Sequence, residues 1–106
     1  MKRLLPAAVF LAALSLYVRT LHPAFQLDDS PETIAASVNL GVQHPPGYPF
    51  VTLAGKLASF LPAGGACFRV NLLAAVLGAG SAASCAALVA GLFPSAAGRA
   101  AGAAAA

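Results

Sequence analysis

The chain contains no tryptophan, two tyrosines and six phenylalanines in 106 residues, and only three acidic side chains. So few large aromatics leave little material for the dense core of a soluble domain of this length. Charged residues make up 8% of the chain, against roughly 25% in an ordinary globular protein, so most of it is unsuited to facing water. The two cysteines, Cys67 and Cys85, fall on one expected helix about 27 Å apart, several times the reach of a disulfide. No metal-ligand spacing accompanies them. A P-loop, a glycine-rich dinucleotide fingerprint, an internal repeat and a basic surface interleaved with aromatics are all missing, which excludes the common nucleotide-dependent enzymes and a nucleic-acid partner.

What the chain does have is two long apolar runs. Lys2 and Arg3 precede the first, and positions 4–21 are apolar apart from Ser15, Arg19 and Thr20. Eighteen helical residues reach about 27 Å, enough for the hydrocarbon core of a bilayer. A cleaved signal peptide would begin the same way, but no A-x-A-like site follows before Asp28, which favours a retained anchor. The second run, 70–93, has no charge, and its helix is expected to start near Ala66. Its small-residue spacings, Gly78/Ala82 and Gly80/Ser84, allow close approach of another helix. Pro94 ends the run, and 94–106 is an alanine- and glycine-rich tail with the look of a truncation. The expected fold class is therefore an all-α membrane protein: two transmembrane helices, about 4–21 and 70–93, flanking a loop, 22–69, that holds two short helices. Lys2, Arg3 and Arg99 place both ends in the cytoplasm and the loop outside.

That loop carries the chemistry. Asp28, Asp29 and Glu32 are all the acids of the chain, and His44-Pro45-Pro46-Gly47-Tyr48-Pro49 follows them. Asp29-x-x-Glu32 has capping-box spacing, Pro31 suits a first helical turn, and Gly41 is a natural stop for a helix from about Pro31 to Leu40. The carboxylates either cap this helix or work in a site; spacing alone leaves both open. Three prolines in five residues make 45–49 a rigid extended-then-turn segment that presents His44 and Tyr48 in set directions. Another helix is expected from Pro49 to about Leu61. It is too short to span, and Thr52, Lys56 and Ser59 share one face that would turn toward headgroups while the helix lies along the membrane. Arg69 marks the entry of the second span, either as a boundary anchor or as a partner for an acid or a phosphate.

The order Asp-x-x-Glu, Leu-Gly-Val-x-His-Pro-Pro-Gly-Tyr-Pro, then Arg-Val-Asn-Leu-Leu resembles one membrane-protein family, the transmembrane protein 260-like protein O-mannosyltransferases. The resemblance lies in residues 29–32, 34–36, 40–49 and 69–73, and the His-Pro-Pro-Gly-Tyr-Pro piece is its most specific part. It implies the N-terminal portion of a GT-C-type glycosyltransferase. Such an enzyme transfers a sugar, mannose in the first instance, from a polyprenyl-phosphate donor to a hydroxyl of a protein or glycan acceptor. On this resemblance Asp29 falls on the family's loop aspartate, the expected general base, and Glu32 on its following glutamate. His44, Pro45, Pro46 and Gly47, with Tyr48, fall on the signature turn, and His44 or Arg69 would hold the donor phosphate. Two departures stand out: Pro31 replaces a common glycine, and Asp28 offers a second acid. No cofactor is implied, and a divalent metal requirement stays open. The expected partners are the lipid bilayer, the lipid-linked donor, the acceptor and the remaining helices of a longer protein, in the bacterial inner membrane. A chain this short is expected to be inactive alone. The alternative is a non-enzymatic two-span protein whose rigid loop docks a partner subunit.

Overall fold

A computed structural model describes residues 4–92, and all regular secondary structure among them is helical. There are four helices: α1 (Leu4–Thr20), α2 (Ser30–Asn39), α3 (Pro49–Ala58) and α4 (Ala66–Leu92). The 27 residues of α4 measure about 40 Å, more than the roughly 30 Å hydrocarbon core. Among the described residues it is the one helix long and apolar enough to cross a membrane. The second crossing expected from the sequence is not established. With 17 residues, α1 reaches about 25 Å, the lower limit for a span. It stops at Thr20, whose hydroxyl folds back onto the carbonyls of Leu16 and Tyr17 at 3.0 and 3.3 Å. Lys2, Arg3, Phe93, Pro94, Arg99 and the rest of the tail lie outside the described residues.

The helices α1 and α4 pack antiparallel. Tyr17, near the end of α1, lies against Gly78 in mid-α4, while Asn71 at the start of α4 donates to the carbonyls of His22 and Ala24 at 3.0 and 3.1 Å. A Cβ at position 78 would stand 3.2 Å from the Tyr17 ring, so the glycine is what admits the aromatic. Gly80, by contrast, has nothing within 4 Å of where its Cβ would be. Of the two small-residue spacings, only the one at Gly78 is used by α1.

At the end of this pair where α1 finishes and α4 begins, α2 and α3 form a polar cap. They cross where Gly55 of α3 meets Ser37 of α2: a Cβ on Gly55 would lie 2.6 Å from Ser37 Cβ, an overlap. Ser37 is fully buried, and its hydroxyl has no partner. The left-handed residue that ends α2 is Leu40 (φ 54°), not the glycine that the sequence suggested. Gly41 follows Leu40, and its N–H reaches the Ala36 carbonyl at 2.9 Å where the chain folds back.

Two expectations for α3 are corrected. It is helical only to Ala58, and single turns carry the chain on to Leu61. Thr52, Lys56 and Ser59 do share a face, but that face turns inward. Thr52 is buried, and Lys56 Nζ donates to the Val38 carbonyl at 2.6 Å, meeting an orphan carbonyl in the last turn of α2. The apolar side points out, with Phe50 73%, Leu57 72% and Phe60 71% exposed. The polar stripe therefore holds α3 to α2. Arg69 closes the α3–α4 connection: its Nε, Nη1 and Nη2 donate to the carbonyls of Ala63, Ser59 and Gly64 at 2.9, 2.6 and 2.9 Å.

The crossing at Gly55 makes a direct prediction. Gly55→Ala should destabilise the α2–α3 pair by about 1–3 kcal/mol, the usual cost of overpacking, and adding Ser37→Gly should recover most of it. Thermal unfolding in detergent micelles checks this; equal stability of Gly55→Ala and the parent would place the crossing elsewhere.

Candidate functional site

The site forms where the start of α2 meets the turn that leads into α3. Asp29 is the N-cap of α2, yet its backbone is already helical (φ −78°, ψ −6°) and its side chain caps nothing. The capping box suggested by the sequence is absent for a physical reason. A cap oxygen reaches the N2 or N3 amide from the extended region, which Asp29 has left, and the Glu32 carboxylate is engaged elsewhere. Glu32 Oε1 accepts the backbone N–H of His44 at 2.6 Å, and its Oε2 pairs with His44 Nδ1 at 2.7 Å. One carboxylate thus holds both the backbone and the ring of a residue twelve positions away. Two bonds to one residue, one of them to an imidazole, replace the single bond that a capping box would give this carboxylate.

The turn behind His44 is as rigid as its prolines require. The Pro45–Pro46 peptide is cis, and the Gly47 N–H returns to the His44 carbonyl at 2.8 Å, a type VI turn. Gly47 (φ 91°) takes a conformation natural to glycine alone. Tyr48, left-handed at φ 44°, sets its ring edge-on to the His44 imidazole with centroids 5.8 Å apart.

The electrostatics follow from these contacts. The His44 pKa is raised above its ordinary value, first by the hydrogen bond to Glu32, then by the charge of Glu32, with a smaller push from Asp29. The Glu32 pKa is lowered by the side-chain and then the backbone hydrogen bonds from His44. Both side chains face solvent, at 43% and 42% exposure, so water screens the pair. Asp29, Glu32 and His44 each offer one donor atom, all within 4.8 Å of one another. Two carboxylates and an imidazole are a donor set that suits a zinc- or manganese-like ion. The sequence spacing did not reveal that set, because His44 reaches it only through the fold.

The other residues singled out by sequence fall in different places. Asp29 lines a largely apolar groove of about 450 Å³ between α2, α3 and α4, with Ser30, Thr33, Asn71 and Leu73. Asp28, left-handed at φ 66°, lines a separate cleft with His22, Phe25 and Pro31. Pro46 and Gly47 border a hollow on the far side of the turn, beside Leu40, Val42 and Leu53. Arg69 is not joined to the acids: its contacts are the three carbonyls already described. Sequence reasoning missed Gln43, the unspecified position before His44 in the motif. Gln43 is buried, accepting from Thr33 Oγ1 and donating to Thr52 Oγ1, both at 3.0 Å. The available signal was an amide in an apolar turn between two helices that each carried a threonine.

A long apolar helix joined to a compact polar end, with an acid–histidine cluster open to solvent, defines an all-helical segment whose chemistry is gathered at one extremity. Residues 29–102 match the family model described as the Protein O-mannosyl-transferase TMEM260 N-terminal domain, and the chain belongs to that family. It is 42% identical over 73 residues to "Protein O-mannosyl-transferase TMEM260" of Mus musculus, covering 68% of this chain and 10% of the mouse protein. The chain therefore spans about a tenth of that relative's length. No solved structure matches it. The family match opens at Asp29 and includes Glu32, Gln43, His44 and Arg69; Asp28 lies just before it.

The Glu32–His44 pair has a defined pH window. The raised His44 pKa gives stabilisation that is full below 6.5 and fades as pH rises through the folded-state value. The lowered Glu32 pKa gives stabilisation that is full above 4.5 and fades as pH falls through its folded-state value. The difference in melting temperature between the parent and Glu32→Gln should therefore be largest between 4.5 and 6.5 and shrink on either side. A difference that does not vary with pH would mean the pair is not formed in solution.

Proposed function

We propose that this chain is the N-terminal part of a GT-C-type membrane glycosyltransferase. The enzyme transfers a sugar, in the first instance mannose, from a polyprenyl-phosphate donor to a hydroxyl of a protein or glycan acceptor. Family membership supports the class, and α4, a helix able to span a bilayer, supports placement in a membrane. In this reading the polar end lies on the extracytoplasmic face of a bacterial inner membrane, with α4 carrying the chain back across.

The observation that carries the mechanism is the contrast between two carboxylates one helical turn apart. Both Glu32 oxygens are taken by His44, whereas the Asp29 side chain has no hydrogen-bond partner among the described residues and borders the groove. A general base must reach the acceptor hydroxyl unencumbered, so Asp29 takes that role. As the acceptor oxygen attacks the anomeric carbon, its proton passes to Asp29. The bond from that carbon to the phosphate oxygen breaks, and the lipid phosphate leaves with the bonding electrons. Attack opposite the leaving group inverts the anomeric centre. His44, whose pKa is raised by its hydrogen bond to Glu32, is the group assigned to the departing phosphate charge. Arg69 would have to leave three carbonyls to do the same, so its role here is to fix the α3–α4 connection.

Because Asp29 makes no cap bond, its substitution should leave α2 standing. In the full-length protein, Asp29→Asn should lower sugar transfer by about 10²–10⁴-fold at unchanged expression, while Asp28→Asn stays near the parent. Transfer assays with a lipid-linked mannose donor measure this. An active Asp29→Asn beside an inactive Asp28→Asn would shift the base by one residue, and activity in both would end the catalytic reading.

A further inference from the structure

His44 can meet Glu32 only if the chain that brings it there is itself fixed. The residue immediately before it supplies that. Gln43 is 5% exposed, and both ends of its amide are used. Oε1 accepts from Thr33 Oγ1 on α2, and Nε2 donates to Thr52 Oγ1 on α3, each at 3.0 Å. Thr33 directly follows Glu32, and Thr52 sits on the inward face of α3, three residues into the helix that Pro49 opens. The peptide between Gln43 and His44 is thus tied at its buried side to two helices. Its N–H, on the exposed side, is held by Glu32 Oε1 at 2.6 Å.

We propose that Gln43 is a positioning residue of this site: by bridging Thr33 and Thr52 it sets the His44 imidazole against Glu32 and beside Asp29. What the imidazole then does rests on the reading of His44 as the group facing the donor phosphate; the positioning itself does not. The groups around the ring are Glu32 and Asp29 at the start of α2 and the Tyr48 phenol in the turn. No cation among the described residues is paired with either carboxylate apart from His44 itself. A charge-free amide is suited to the task. It satisfies one half-buried and one buried hydroxyl without placing a third carboxylate beside Glu32 and Asp29. If Gln43 merely filled and satisfied the α2–α3 interface, its loss would lower stability and leave the imidazole as it was.

The test is the acylation of histidine by diethyl pyrocarbonate, which attacks the neutral ring, read peptide by peptide by mass spectrometry across pH on the full-length protein in lipid nanodiscs. Glu32→Gln sets the scale: the His44 rate near pH 7 should rise several-fold and its pH midpoint should fall. Gln43→Leu, of similar volume, should do the same, and Thr52→Val, which cuts one arm of the bridge, should give an intermediate shift. His22, outside the site, is the internal control. A Gln43→Leu protein with altered His22 reactivity has lost more than the bridge, and Thr52→Val then decides. An unchanged His44 rate and midpoint in Thr52→Val and in a folded Gln43→Leu, with Glu32→Gln shifted, would overturn the proposal. The readout needs no sugar transfer, so it stands or falls separately from the assignment of Asp29 as base.

Discussion

The Glu32 carboxylate, held between the backbone N–H and the ring of His44, decides how the polar end of this chain is organised. It draws the start of α2 and the proline turn into one unit. It takes the Glu32 side chain away from the helix end, and it brings the His44 ring beside two carboxylates. Yet an exposed ion pair contributes little in water, whereas ordering a loop of about twelve residues costs on the order of 2 kcal/mol in chain entropy. The contact cannot close the loop alone. Three prolines shorten the list of conformations to be given up, and the Thr33–Gln43–Thr52 chain, buried at Gln43 and Thr52, anchors the residue before His44. The exposed pair is the visible end of a device whose holding power is inside.

The same logic explains why α3 is turned over relative to its simplest amphipathic reading. A polar stripe on a short helix near a membrane suggests a face toward headgroups. Here Thr52 and Lys56 have better uses, one closing the Gln43 bridge and the other meeting the Val38 carbonyl at the end of α2. The helix consequently shows Phe50, Leu53, Leu57 and Phe60 to its surroundings. Under the proposed function these side chains fit lipid or further helices of a longer enzyme.

Much of the fold was legible because it is written in local chemistry. The uncharged run that begins at Val70, the rigid turn of residues 44–49 and the helix opened by Pro49 all announce themselves in the sequence. The family was readable from the order of Asp29, Glu32, the His44–Pro49 turn and Arg69, and the match over 29–102 bears that out. What was not legible depends on pairings between distant residues. Capping-box spacing at Asp29 and Glu32 is real, but a histidine twelve positions on offers Glu32 stronger bonds than the helix end does. Nothing near Arg69 in sequence shows that its guanidinium will meet the carbonyls of Ser59, Ala63 and Gly64. Gln43 reads as a variable letter until Thr33 and Thr52 are seen on either side of it. The first apolar run, expected as a span over 4–21, forms a helix over Leu4–Thr20, at the lower limit of length for a crossing.

The account stands on the bond between Glu32 and the His44 amide, and hydrogen exchange reads that bond directly. Pro45 and Pro46 carry no amide, so the His44 N–H has no neighbour on its C-terminal side, and exchange resolved amide by amide follows it. In the parent chain it should exchange much more slowly than a solvent-facing loop amide, and Glu32→Ala should release it to the unprotected rate while the amides in the middle of α2 and α3 keep theirs. A His44 amide that exchanges freely in the parent, or that stays slow without the Glu32 carboxylate, would contradict the account.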